Sequence, residues 1–350
     1  MTVKEFVLFL RRLSGAENPP AVMVWGPPGV GKSQAVRDLA QELGWGHCDV
    51  RLPDHNPVDL KGVPFPDFRR GLTRWLPNGL LPVAERDGER GFLVLDEVTS
   101  APPAVQVCAY QLTLDRRVGE YVLPPGWLVI LAGNRAEDRG VTYRMPAPLA
   151  NRLVHLEVHP DFQTWKEWAF RVGIDRRVIS FLDFRPKLLH KMPQDPEIKA
   201  FPTPRSWEFV SRLLKAGFSR HDREAIAGCV GEGPAAEFIA FLKVAEEIPD
   251  PDAILKGKNV PPPGPERPDL LYALLGALVE RLWQALRDER EFRRKTEIFL
   301  RWIGQLPGEF GVCGFVNLLL TVGKESPGWR IVMSLPETSR FADKVADLLV

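Results

Sequence analysis

The chain lacks any apolar run close to the roughly 18 residues that a membrane-spanning helix requires. Its longest candidates, such as Leu128–Ala132 and Tyr272–Val279, have the size of core segments, so no membrane partner is expected. Cysteine is scarce. Cys48, Cys108, Cys229 and Cys313 stand far apart and form no CxxC pair. That spacing argues against a disulfide framework or a zinc ribbon and for reduced thiols in a cytoplasmic protein. An excess of one charge is missing too: 46 Lys and Arg against 45 Asp and Glu give a net charge of +1. This near-balance removes the simplest case for a nucleic-acid coat or a polybasic membrane binder, although a local patch could survive it. Near the N-terminus the only apolar stretch is Phe6–Leu10, followed at once by Arg11 and Arg12. A secretory leader has its basic residues ahead of a longer apolar segment, so secretion is not expected. There is no internal repeat and no long low-complexity tract.

What is present is 350 residues with 45% hydrophobic and 26% charged side chains, enough for two or three globular domains. Up to residue 159, short apolar runs alternate with helical patterns. Strands are predicted at Ala21–Trp25, Cys48–Leu52, Gly91–Asp96, Trp127–Gly133 and Leu153–Val158. Helices are predicted at Thr2–Leu13, Gly31–Leu43, Pro103–Leu114 and Pro146–Arg152. This alternation predicts an α/β domain over residues 1–159, a parallel sheet sandwiched by helices. Beyond His159-Pro160 the strand patterns nearly vanish. Helices are predicted at Phe162–Arg171, Pro204–Ala216, Pro234–Glu247, Pro268–Asp288, Arg290–Ile303 and Phe341–Leu349. A polar, proline-rich segment around Val260-Pro261-Pro262-Pro263-Gly264-Pro265 reads as a linker over 249–267. It separates a helical domain over 160–248 from a helical C-terminal extension over 268–350.

Chemistry enters at Gly26-Pro27-Pro28-Gly29-Val30-Gly31-Lys32-Ser33, which matches GxxxxGK[ST] between an apolar strand and a helix. Gly29 and Gly31 permit a tight loop whose N–H groups point inward at a helix N-terminus, an anion nest. Pro27 and Pro28 stiffen its approach. Lys32 would neutralise β- and γ-phosphate charge, the Ser33 hydroxyl would ligate Mg²⁺, and Gln34 follows in the same turn. The loop alone specifies only a nucleoside triphosphate. The second half of a site is Phe92-Leu93-Val94-Leu95-Asp96-Glu97, where a buried strand delivers two carboxylates to the sheet edge at which open α/β folds bind ligands. Asp96 would hold Mg²⁺ through water, and Glu97 would polarise an attacking water as general base. Asp96 stands 64 positions after Lys32, which leaves room for an insertion between them.

Taken together, these motifs resemble the AAA+ ATPases, and within them the MoxR-like branch with its helix-2 insert. The resemblance spans about Ala21 to Glu247. Asp96-Glu97-Val98-Thr99-Ser100-Ala101-Pro102-Pro103 with Gln106 is similar to that branch's extended Walker B motif. Leu128–Asn134 is similar to the sensor 1 strand, which makes Asn134 the polar residue that feels the γ-phosphate. Pro146–Leu153 is similar to the helix ending in an arginine finger and implies Arg152, facing a neighbour's nucleotide, with Arg144 as a competing candidate. Leu153 stands where the branch usually has Phe. Pro202-Thr203-Pro204-Arg205 is similar to the start of the sensor 2 helix, so the domain over 160–248 becomes a lid and Arg205 a phosphate contact. Asp59-Leu60-Lys61-Gly62 with Val63–Pro82, and Leu114–Pro124, are similar to the helix-2 insert and the pre-sensor hairpin.

The resemblance implies a Mg²⁺-dependent ATPase that works as a ring or part-ring, a hexamer, and remodels or activates a protein client or a partner with a von Willebrand factor A domain. A finger acting in trans cannot be completed by a monomer. Two other readings stay open. One is a nucleic-acid motor using Arg69, Arg70, Arg74, Arg116 and Arg117 on the two hairpins. The other is an ATP-controlled assembly switch with incidental turnover. His155 and His159 lie four apart, a metal spacing on a helix, but Leu153–Val158 alternates as a strand, so neither is expected to bind metal.

Overall fold

In a computed structural model of the chain, the described residues are 1–135, 143, 145, 147–195, 197–342 and 345. Met1–Asp161 form one compact unit and Phe162–Val350 a second. The first unit begins with α1 (Val3–Leu13), closed by a capping box between Thr2 and Glu5, and it buries Phe6 and Leu10. There follow β1 (Val22–Trp25), α2 (Lys32–Leu43), β2 (Gly46–Arg51) and α3 (Pro57–Lys61). A hairpin, β3 (Val63–Asp67) with β4 (Leu72–Leu76), precedes α4 (Ala84–Asp87), β5 (Arg90–Asp96) and α5 (Pro103–Asp115). A second hairpin, β6 (Arg117–Val118) with β7 (Tyr121–Val122), leads to β8 (Gly126–Gly133), α6 (Ala147–Ala150) and β9 (Val154–Glu157).

Five strands form one sheet in the order β2–β5–β8–β1–β9, and every neighbouring pair is parallel. The apolar run of β5 has side chains on both faces. Leu93 and Leu95 enter a core with Val105, Ala109 and Leu112 of α5. Phe92 and Val94 enter a core on the opposite face with Phe6, Leu10, Val36 and Leu39 of α1 and α2. Strand β8 divides in the same way, Val129 and Leu131 against Leu128 and Ile130. This two-sided burial explains why these segments read as continuous apolar runs. The result is a P-loop NTPase fold: β1 lies between β8 and β9, so the chain reverses strand order at the point where the glycine-rich loop leaves the sheet.

The second unit is helical: α7 (Phe162–Val172), α8 (Arg176–Phe184), α9 (Pro204–Lys215), α10 (Arg223–Val230), α11 (Glu232–Ala245), α12 (Pro251–Leu255), α13 (Pro268–Ala285), α14 (Glu289–Ile303), α15 (Gly308–Val322), α16 (Pro327–Ser334) and α17 (Ser339–Ala342). One apolar core runs through it from Trp165 to Val345. Residues 249–267, a linker by composition, contain α12, whose Ile254 and Leu255 are buried, and Trp302 donates to the Val260 carbonyl at 3.2 Å. Helices α8, α10, α12, α15 and α16 have no counterpart in the sequence reading. In α15 the reason is plain: it is apolar almost throughout and carries Gly308, Gly311 and Gly314, so it shows no polar face from which a helical period could be read. Most of the helix expected at Phe341–Leu349 lies outside the described residues.

Glycine at 91 is a spatial requirement. A Cβ there would sit 2.7 Å from the Trp127 ring and 2.7 Å from the Gly46 carbonyl oxygen. Trp127 is buried and donates its indole N–H to the Gly88 carbonyl at 2.9 Å, so it has no room to retreat. Gly91→Ala should therefore cost about 1–3 kcal/mol. Gly233→Ala, where a Cβ meets nothing within 4 Å, should cost little. Thermal melting of both variants checks this, and equal midpoints would contradict it.

Candidate functional site

The loop after β1 is shaped by three glycines. Gly26 passes so close to β9 that a Cβ would lie 2.5 Å from the Val158 carbonyl oxygen. Gly29 (φ 74°) and Gly31 (φ 101°) take left-handed backbone that side-chain-bearing residues rarely adopt. Gly31 is the residue from which α2 starts, so Lys32 and Ser33 form its first turn. Val30 is anchored in the core beneath, Pro27 is buried and Pro28 half-buried. Gln34 is exposed and donates along the helix to Asp38 at 2.7 Å.

The Lys32 side chain folds back over the loop. Its ammonium donates to the carbonyls of Gly26 (2.6 Å) and Pro27 (3.1 Å) and to Asn134 Oδ1 (3.3 Å). A buried cation thus meets carbonyl and amide oxygens at the mouth of the glycine-rich loop. The Ser33 hydroxyl donates to Asp96 Oδ2 at 2.7 Å. Asp96 Oδ1 accepts the Glu97 N–H at 2.8 Å, which fixes the carboxylate plane. The pair Ser33 Oγ and Asp96 Oδ2 offers hard oxygen donors, which suits Mg²⁺ completed by water and phosphate oxygens rather than a soft-metal site. Among the described residues no cluster of three or more His, Cys, Asp or Glu could hold a metal by itself.

The structure therefore brings together Gly26, Pro27, Pro28, Gly29, Val30, Gly31, Lys32, Ser33, Asp96, Glu97 and Asn134. Arg152 is exposed just beyond α6, in a turn closed by the Leu153 N–H to the Ala150 carbonyl at 3.3 Å. Arg205 is exposed on the first turn of α9, in the second compact unit, where Thr203 and Ser206 form a buried capping box. Arg144 lies outside the described residues. His155 lies on β9 and His159 two residues past its end, so the segment predicted as a strand is one.

Sequence reasoning gave no role to four residues here. Arg51 ends β2 and pairs with Glu97, Nη2 to Oε1, at 2.7 Å. Only the β2–β5 register, which sets Arg51 opposite Asp96, reveals this. Asp49, two residues earlier, has its carboxyl raised above the ordinary range, first by burial and then by the Asp96 charge, so the negative potential extends along β2. Thr99 is buried and reaches the Asn134 carbonyl at 3.5 Å, tying the turn after β5 to the end of β8. Arg135, beside Asn134, pairs with Glu157 at 2.6 Å.

Comparison with known proteins adds little. No protein-family model matches the chain, and no curated protein does. Among solved structures it is similar to NtrX from Brucella abortus in complex with ADP, at 15% identity over 99% of this chain and 68% of that one, with a TM-score of 0.39. It is also similar to the RuvB Holliday junction branch migration motor of Thermotoga maritima, at 15% identity over 82% of this chain and 75% of that one, with a TM-score of 0.33. Scores this low carry no argument about activity or partners.

Glu97 holds a left-handed backbone (φ 54°) that is strained for any residue with a Cβ. Its ion pair with Arg51 is largely solvent-accessible and contributes little to stability. Glu97→Gly should consequently leave the protein at least as stable as the parent, whereas Glu97→Val should be about 1–2 kcal/mol less stable than Glu97→Gly. Denaturant melts of the two variants decide it; Val equal to Gly would refute the strain.

Proposed function

We propose that this chain is a Mg²⁺-dependent ATPase of the AAA+ type, of the MoxR-like kind, that works as a ring or part-ring and remodels or activates a protein partner. The observation that carries the ATPase reading is the 2.7 Å contact between Ser33 and Asp96. It joins two motifs far apart in the chain at one sheet edge, beside Lys32, Glu97 and Asn134. In this reading the loop N–H groups and Lys32 bind the β- and γ-phosphates. Ser33 and Asp96 would hold Mg²⁺, which supplies charge neutralisation at the phosphates when bound. Glu97 accepts a proton from the attacking water once its carboxylate leaves Arg51, and Asn134 orients on the γ-phosphate. Arg152, exposed and without an ion pair among the described residues, would reach a neighbouring subunit's nucleotide, and Arg205 would contact phosphate from the helical unit.

A protein partner is favoured over nucleic acid by the first hairpin. Val63, Phe65, Phe68, Leu72 and Leu76 are all exposed there, Phe68 at 90%. Of the five hairpin arginines, two serve the fold. Arg74 pairs with Glu120 at 2.9 Å. Arg116 donates to the carbonyls of Pro124, Pro125 and Trp127. Arg69, Arg70 and Arg117 are too few for a phosphate track, while the apolar surface suits a polypeptide. The four cysteines are free, and among the described residues no helix is long and apolar enough to cross a membrane.

Lys32→Ala should abolish tight ATP binding in calorimetry; wild-type affinity would refute the loop assignment. Glu97→Gln should bind ATP and hydrolyse it more slowly by a factor on the order of 10² or more, and undiminished turnover would move the base elsewhere. Arg152→Ala should keep ATP binding while turnover falls by about 10³. Mixing it with Lys32→Ala protein should restore part of the activity, since each supplies what the other lacks. If no mixture recovers turnover, the finger does not act in trans.

A further inference from the structure

We propose that His155 is a positioning residue for Arg152, and that Trp25 locks it to the mouth of the phosphate loop; this rests on the reading of Arg152 given above. Trp25 is the last residue of β1, and Gly26 of the loop follows it directly. Its indole Nε1–H donates to His155 Nδ1 at 2.9 Å, and the two rings lie edge to edge near a common plane, with centroids 6.0 Å apart and planes 12° from parallel. An indole nitrogen can only donate. Nδ1 must therefore carry its lone pair, and the imidazole hydrogen sits on Nε2. That nitrogen faces the Ala150 carbonyl oxygen at 2.7 Å. One neutral imidazole, in one tautomer, thus bridges the end of β1 to the last residue of α6.

Ala150 opens the turn that carries Arg152. Its carbonyl accepts from His155 and from the Leu153 N–H that closes the turn. Asn151 and Arg152 are exposed, and Arg152 makes no ion pair among the described residues. The backbone of this turn sets the point from which the Arg152 side chain extends, and that backbone is pinned from outside the turn by His155. The far end of β9 is held to the same loop: the Val158 N–H donates to the Trp25 carbonyl at 2.8 Å, and Gly26 lies against the Val158 carbonyl. Strand β9 and the turn ahead of it are tied to the residue that starts the phosphate loop at two points, so the seat of Arg152 follows the loop of its own subunit.

Three variants test this. His155→Phe keeps a flat ring at this position and removes both hydrogen bonds. His155→Gln restores them, since an amide can accept from the indole and donate to the carbonyl. Arg152→Ala is the reference. ATP affinity is read by calorimetry and turnover by phosphate release, in the oligomer with Mg²⁺. The Phe variant should bind ATP as the parent does and lose turnover by at least about tenfold, Gln should recover most of it, and Phe added to Arg152→Ala should lower turnover no further. If Arg152→Ala loses turnover and His155→Phe does not, the proposal is overturned while the finger reading survives. If His155→Phe lowers ATP affinity as much as turnover, His155 supports the loop alone and the proposal fails. If Arg152→Ala itself keeps full turnover, the finger reading falls and takes this proposal with it. Should His155→Phe not fold, Trp25→Phe, which removes only the indole donor, is measured against the same outcomes.

Discussion

The hydrogen bond from Ser33 to Asp96 spans two strand positions of the sheet, and the rest of the site depends on that span. Strand β8 lies between β1 and β5, so the glycine-rich loop and the acidic pair open at the same edge with a strand's width between them. Adjacent strands would close the gap, and a second intervening strand would put Asp96 beyond reach of the helix that starts at Lys32. The strand in the middle ends at Gly133, and Asn134, the next residue, accepts from the Lys32 ammonium. Cation, hydroxyl, carboxylate and amide converge because three segments distant in sequence end at one level of a parallel sheet.

Around this centre the structure spends polar groups on alignment. Asp96 accepts a backbone N–H and a hydroxyl, Thr99 reaches the carbonyl of Asn134, and Arg135 meets Glu157. Each of these contacts fixes the direction of a neighbour that would face phosphate or water. Glu97 is the exception, held in strained backbone by a partner that is itself exposed. A group under strain with a replaceable partner is suited to change its place, as a base that must meet a water would.

How far the chain could be read in advance follows from the range of each interaction. The loop and the acidic pair were legible because each is local: glycines at fixed offsets, an apolar run ending in two carboxylates. The sheet was legible because β5 and β8 are buried on both faces. Arg51, Thr99 and the Trp25–His155 pair were not, because their partners are fixed by strand register and loop path, which no local pattern encodes. Composition did not reveal α12 within residues 249–267, since two buried apolar residues among many polar ones suffice to seat a short helix. It missed α15 for the opposite reason, as a helix buried on every side has no contrast to display.

The unbroken core of the second unit has a mechanical meaning. Trp207, two residues along α9 from Arg205, packs against Phe181 and Phe238, and α8, which carries Phe181, lies against α13 in the same apolar mass that reaches α14 and α15. Such interiors are close-packed and transmit displacement rather than absorb it. A partner that gripped the last helices would therefore turn α9 with them as a lever with no pivot in between, and the guanidinium at 205 would register a pull applied more than a hundred residues away in sequence.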